Sequence, residues 1–266
     1  MKPENIIKFI LFEIKKTIFS IGFLSSIILI VLSSLIWVFS QKIAPQIIGG
    51  SGYDFVFSSL RFDVNFLFPF LSLIISSVSI NYDASMGIIA TLTSGYMKRE
   101  EFLIGKYALI IVLFVMIFII ALIFNIVLGG IIWGFPEITE EGITTLSLSL
   151  FLPKLVLSSL LPVFSIIALI SLGILFSILF RNIIGSISVS IGSFLLLDII
   201  KGFFKYKSFL PTYANDLPFK ELNKVIENNL LEFNINYLEI VLIPLIWAFL
   251  IFLISYFKIK KMDFHV

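Results

Sequence analysis

The sequence predicts an all-α membrane protein with six transmembrane helices, an N-terminal interfacial helix and a short cytoplasmic helix, the coupling helix, between the second and third spans. Of its 266 residues, 59% are hydrophobic and only 14% are charged, whereas soluble domains average about 45–50% and about 25%. Its uncharged runs approach or exceed the roughly 20 residues that a helix needs to cross the hydrocarbon. The runs are continuously apolar rather than alternating, which favours helices over barrel strands.

The charged residues delimit one membrane domain, residues 1–266, with no hydrophilic stretch long enough for a separate soluble core. A helix of residues 4–16 precedes the first span and is predicted to lie in the headgroup plane; alternatively, it extends the first span. Its two faces are Ile6, Ile7, Ile10 and Ile14 against Glu4, Lys8 and Lys15. The spans are predicted at about 18–39, 64–82, 107–132, 155–180, 183–202 and 240–257.

The connections between the spans are short. Residues 42–61 contain Gly, Ser and Pro and are predicted to form an outer loop. Residues 219–233 have helical periodicity and are predicted to form an outer-surface helix. With the N-terminus inside, Lys and Arg number 11 on the cytoplasmic side against 8 outside, which predicts a plasma-membrane protein with both termini in the cytoplasm.

Composition and motifs argue against an enzyme. The chain lacks cysteine, and its net charge of +2 is too small to favour nucleic acid. The sequence shows no metal-ligand cluster, no paired nucleophile and base, and no G-x-x-x-x-G-K-[ST] phosphate loop. We therefore predict no catalytic, cofactor-binding or metal-binding residue.

The cytoplasmic segment 83–106 carries the most specific pattern. Asp83 is placed to cap a short helix from Ala84 to Thr93, and Gly95 is placed to end it. Exposed apolar side chains on such a helix are unusual unless they dock on something. Two interpretations follow from the residues alone: docking on a partner protein, or contact with the membrane surface. The apolar residues concerned are Met86, Ile88, Ile89 and Leu92.

This segment resembles the cytoplasmic loop of ABC-2-type transporter permeases. In that family an acidic residue, a glycine, a leucine, an arginine and a Gly-Lys pair follow in order into the third helix. The matching residues here are Asp83, Gly87, Leu92, Arg99, Gly105 and Lys106. Two positions depart from the family: proline is usual where Gly95 stands, and a hydroxyl residue where Lys98 stands.

The resemblance implies a permease subunit of an ATP-driven exporter. Such permeases lack the ATPase, pair as homodimers or heterodimers, and bind two copies of a separate ATPase subunit, which uses ATP and Mg. The loop helix inserts into a groove of that subunit. The residues that the resemblance assigns to docking are Asp83, Met86, Gly87, Ile88, Ile89, Leu92, Lys98, Arg99 and Glu101.

Two polar residues within the spans are further candidates. Asn125 is expected to hydrogen-bond between helices. Asp198 is a functional candidate by its depth in the membrane, or else it pairs with Lys201 three residues later. Besides the exporter, two other classes remain open: a transporter driven by an ion gradient, and a membrane scaffold or assembly factor. The apolar spans suit a lipid, peptide or drug-like cargo.

Overall fold

The structure, a computed structural model, describes residues 3–18, 20–43, 51–89, 97–140, 143–180, 182–228 and 236–261. Six of its helices are long and apolar enough to cross a membrane, which confirms the predicted multi-pass architecture. The helices are α1 (Pro3–Ile18), α2 (Ile21–Ile43), α3 (Gly52–Ser85), α4 (Arg99–Ile132), α5 (Leu148–Leu179), α6 (Ile183–Phe203), α7 (Leu217–Asn228) and α8 (Leu238–Lys260).

Contacts at the helix ends show which of them share one end of the bundle. Lys106, near the start of α4, lies 2.8 Å from Glu13 of α1, and Lys260 at the end of α8 lies 3.6 Å from Glu100 of α4. Asp83, near the end of α3, lies 2.6 Å from the same Lys106, so the end of α3 lies beside α1 and the start of α4, at the end of the bundle where α8 also ends. We call this the α1 end of the bundle, and it carries the predicted coupling segment.

Three membrane-length helices, α3, α4 and α5, begin earlier in the chain than their predicted spans, and α5 begins at Leu148 rather than at about residue 155. The predicted outer loop 42–61 is wrong from Gly52 onwards, because α3 begins there rather than at about residue 64. The Ser51 side chain accepts from the N–H of Asp54 at 3.2 Å, and the Asp54 carboxylate accepts from the N–H of Ser51, which together cap the helix. Likewise α4 begins at Arg99 rather than at about residue 107. The predicted spans begin after the last charged residue, but in the structure charged residues such as Arg61 and Lys106 lie within the helices.

The second half of α5 lies at the centre of the bundle, where 72% of the most apolar stretch of α5 is buried. It packs against α3 through small residues: a Cβ added to Gly173 would overlap the Ser76 hydroxyl oxygen. Polar bonds join the same helices, since the N–H of Asn81 donates to the Ser177 hydroxyl at 3.1 Å. Small residues and serine hydroxyls are typical of close helix packing in membranes.

The opposite end of the bundle carries the remaining elements. Two short antiparallel strands, Ile138–Glu140 and Ile143–Leu146, lie between α4 and α5 and are an exception to the all-α prediction. The surface helix predicted at 219–233 is present as α7 up to Asn228, and residues 229–235 lie outside the described part. Phe219 and Leu222 anchor α7 because both are fully buried.

Candidate functional site

A buried ionic cluster joins three helices at the α1 end. The ammonium nitrogen of Lys106 lies 2.8 Å from Glu13 Oε2 on α1 and 2.6 Å from Asp83 Oδ2 on α3. The three side chains are only 4%, 9% and 4% exposed. Lys16, which is half exposed, adds a second positive charge 3.7 Å from Glu13. We call Glu13, Asp83 and Lys106 the Lys106 cluster.

The residues beside Lys106 explain how the cluster forms. A Cβ at Gly105 would lie 2.7 Å from the Phe9 ring, so only glycine allows α1 to approach α4 this closely. The rings of Phe9 and Phe102 lie with their centroids 5.5 and 5.7 Å from the Lys106 nitrogen. Aromatic faces attract a cation at this distance. The Gly-Lys pair at the start of α4 thus supplies a close helix contact and a buried charge.

The connection from α3 to α4 begins and ends next to this cluster. Asp83 lies two residues before Ser85, where α3 ends, and Gly87 makes the turn with a positive φ of 68°. On the return side, the N–H of Lys98 donates to the Glu101 carboxylate at 3.0 Å, at the start of α4. A cavity of about 350 Å³ opens beside the cluster and is lined by residues that include Lys16, Ser20, Ser79 and Tyr82.

The structure corrects the role predicted for Asp83. It does not cap a separate helix, because α3 continues through it to Ser85 and its carboxylate is buried against Lys106. The other predicted docking residues differ in accessibility. Met86 and Lys98 are exposed, Gly87, Ile88 and Arg99 are half-buried, Ile89 and Glu101 are buried, and Leu92 lies outside the described residues.

A second buried acid, Asp63, lies on α3 and was missed by the sequence analysis. Its carboxylate is fully buried and contacts the Ser33 hydroxyl on α2 at 2.8 Å and the Asn125 amide on α4 at 3.3 Å. Asn125 therefore hydrogen-bonds between helices, as predicted. Asp63 also begins a π-helical turn, Asp63–Leu67, a feature that often marks functional positions in helices.

A groove of about 380 Å³ lies at the opposite end of the bundle. Its floor includes an ion pair in which Arg61 donates to both carboxylate oxygens of Asp216, at 2.8 and 3.2 Å. Burial opposes ionisation of Asp216, but the bonds and charges of Arg61 and Lys220 outweigh it, so the pKa of Asp216 lies below its ordinary value. Asp198 lines the same groove and pairs with Lys201, which confirms the predicted pairing.

Comparisons with known proteins leave these sites to be interpreted on chemistry alone, since no family model matches the chain and no curated protein matches it. Within the described ranges, His, Asp and Glu form no group of three that could hold a metal ion. The described residues thus provide two features for a function: the Lys106 cluster, whose buried charges connect three helices, and Asp63, whose carboxyl is buried between the spans.

Proposed function

We propose that the chain is the transmembrane permease subunit of an ATP-driven ABC-2-type exporter. One observation supports this most directly: the connection between α3 and α4 leaves and rejoins the bundle at the Lys106 cluster, which also holds α1. A protein that binds the connection would thereby act on α3 and α4 directly and on α1 through Lys106. The motif resemblance in residues 83–106 supplies the identity of that protein, an ATPase subunit.

The cluster supports a mechanical role because it resists separation. Removing either carboxylate from Lys106 would leave a charge in a place shielded from water, which is strongly unfavourable. A push on Met86 or Lys98 would therefore move the ends of α3 and α4 together rather than bend one of them. Helix α3 packs directly on the central half of α5, so this movement would be passed to the interior of the bundle.

In this proposal the chemistry of energy conversion belongs to the partner. Two ATPase copies hydrolyse ATP with Mg, and a second permease chain completes the passage. The α1 end faces the cytoplasm of the cell, together with both termini, and the cargo is a lipid, peptide or drug-like molecule. Met86, which is 60% exposed, provides an accessible apolar contact for the ATPase.

Co-purification tests this function. The tagged chain is purified in mild detergent beside the variants Met86→Glu and Tyr206→Glu. Tyr206 is similarly exposed, at 58%, but lies beyond α6 at the opposite end of the bundle, so it serves as the matched control. We expect an ATPase with a phosphate loop to accompany the native chain and the control, and to be lost from Met86→Glu. Absence of any ATPase from the native chain in several detergents would refute the proposal.

One observation favours a second candidate, a transporter driven by an ion gradient. Asp63 places a carboxyl between the spans, and such residues often belong to ion or proton pathways. The two candidates differ in their energy source. Uptake or efflux in vesicles that contain the purified chain without ATPase, driven by an imposed ion gradient, would favour the second.

A further inference from the structure

The surroundings of Asp63 differ from those of the other buried acids of the bundle. Within the described ranges no lysine, arginine or histidine pairs with Asp63. Its nearest cation along the chain, Arg61, donates instead to Asp216. An ionised carboxylate buried without a cation is very unfavourable, so the carboxyl must be neutralised in another way.

Apart from Arg61, which is paired with Asp216, the nearest titratable groups on α2 and α4 and those that follow Asp63 on α3 lie far along the helix axes from this level. Lys42 is nine residues beyond Ser33 on α2, about 13 Å at the helical rise. Tyr107 is eighteen residues before Asn125 on α4, about 27 Å away by the same measure. On α3 itself, Tyr82 is the next titratable residue after Asp63 and lies nineteen residues further on. None of these groups is placed to balance a charge on Asp63.

The hydrogen bonds around Asp63 indicate what neutralises it. The Ser33 hydroxyl oxygen lies 2.9 Å from the Ile30 carbonyl and 2.8 Å from Asp63 Oδ1, although a hydroxyl carries only one hydrogen. If that hydrogen goes to Ile30, the Ser33 oxygen is free to accept a hydrogen from Asp63. The Asn125 amide donates its two hydrogens to the Ala121 carbonyl and to Asp63 Oδ2. A neutral carboxylic acid therefore satisfies both contacts.

We propose that Asp63, Ser33 and Asn125 form a proton-binding site within the membrane-spanning bundle. In this conformation Asp63 holds the proton on Oδ1 and donates it to Ser33. When α2 or α4 moves away, the carboxyl is hydrated and releases the proton, leaving a carboxylate. The site is distinct from the Lys106 cluster and stands whether or not an ATPase drives the protein.

A metal cation fits this place less well than a proton. One of the two groups on the carboxylate is an amide nitrogen, which carries hydrogens and cannot bind a cation. Among the described residues the buried Asn125 Oδ1 has no hydrogen-bond partner, so beyond the Asp63 carboxylate and the Ser33 hydroxyl it is the further oxygen that a cation would use here. The groove at the opposite end gives the Asp63 proton a route of exchange with water, because Trp37, which lies one turn from Ser33 on α2, lines that groove.

Infrared difference spectroscopy of the full chain in lipid vesicles tests the site. A protonated carboxylic acid absorbs as a carbonyl stretch that shifts in heavy water, whereas a carboxylate does not absorb there. At neutral pH we expect this band in the native chain, its loss in Asp63→Asn, and its retention in the matched control Asp198→Asn. Ser33→Ala should keep the band but shift it upward, because the acid loses the acceptor of its hydrogen bond.

Two results would overturn the proposal. If the native chain and Asp63→Asn give the same spectrum at neutral pH, Asp63 is ionised and holds no proton. If the band is present in choline chloride but disappears when sodium chloride replaces it, the site binds sodium in preference to a proton. Should Asp63→Asn fail to fold, the Ser33→Ala shift still decides whether the band belongs to this site.

Discussion

Asp63 and Asp83 lie on the same helix, twenty residues and so about 30 Å apart, and both are almost fully buried. Asp83 faces Lys106 and is compensated by a charge. Among the described residues, the side-chain partners of Asp63 are a hydroxyl and an amide. One long helix thus carries a charged junction at the α1 end and a neutral polar junction nearer its other end. The first kind of junction holds helices together, and the second kind responds to protons.

Removal of the shared cation should break the first junction and give the largest effect. In Lys106→Met, Glu13 and Asp83 remain buried without their partner, and loss of one side of a buried ion pair is worth about 3–5 kcal/mol of stability. Thermal unfolding of the purified chain in detergent measures the change. Lys224→Met, which removes an exposed lysine, is the control and should leave the midpoint nearly unchanged.

The same experiment has a rescue that distinguishes charge from packing. The triple variant with Lys106→Met, Glu13→Gln and Asp83→Asn has no unpaired charge and should recover much of the lost stability. If the triple variant is no more stable than Lys106→Met alone, the lysine acts through its packing against Phe9 and Phe102. The statement that Asp83, unlike Asp63, is stabilised by an opposite charge would then be wrong.

The close approach of α1 to α4 should give the next largest effect. In Gly105→Ala the new methyl group would lie 2.7 Å from the Phe9 ring, and such overpacking is typically worth about 1–3 kcal/mol. Gly192→Ala on α6 is the matched control, because no atom of the described residues lies within 4 Å of the added carbon, and alanine there should stabilise the helix by up to about 1 kcal/mol. Unfolding midpoints that change equally in both variants would contradict the contact.

The ion pair between Arg61 and Asp216 in the groove should contribute less to stability than the two contacts above, because the Arg61 side chain is 38% exposed. We expect Asp216→Asn to lower stability by about 1 kcal/mol or less at neutral pH. Since the pKa of Asp216 is lowered by folding, its contribution is complete above the pKa of an unfolded aspartate and is lost as the pH falls through the lowered value. Unfolding midpoints of native chain and variant should therefore converge in acid, and in high salt as well.

The smallest effect should come from Asp63→Asn, measured at neutral pH. The amide replaces a carboxyl that is already neutral, so stability should change by less than about 1 kcal/mol. Asp83→Asn should be more damaging, because it breaks the ion pair that joins α3 to Lys106 and leaves the lysine paired with Glu13 alone. Equal losses in the two variants would show that the acids of α3 do not differ in charge state.

Local composition was enough to predict the number of spans and their approximate places. Six apolar runs became six membrane-length helices, and α6 at Ile183–Phe203 nearly coincides with its prediction at 183–202. The pairing of Asp198 with Lys201 was predictable for the same reason, since residues three apart on a helix are neighbours. The starts of α3, α4 and α5 were not predictable in this way, because Gly52, Arg99 and Leu148 begin helices that contain charges near their starts.

The errors share one physical cause. A charge ends a span only when nothing in the fold compensates it, and the compensating groups lie far away in sequence. Glu13 meets Lys106 across 93 positions, and Asp63 meets Asn125 across 62. The individual polar residues are visible in the sequence, since Ser33 and Asn125 lie inside apolar runs. The sequence alone does not show which polar residues contact each other in the fold.

The sequence by itself therefore determined that the chain forms six helices long and apolar enough to cross a membrane, because hydrophobic length depends only on neighbouring residues. The tertiary structure alone decided which charged residues lie inside the bundle and how each is neutralised. Asp83 pairs with a lysine, and Asp63 hydrogen-bonds with a hydroxyl and an amide. The partners differ because a different set of three helices, whose contacting residues are distant in the chain, meets at each of these two acids of α3.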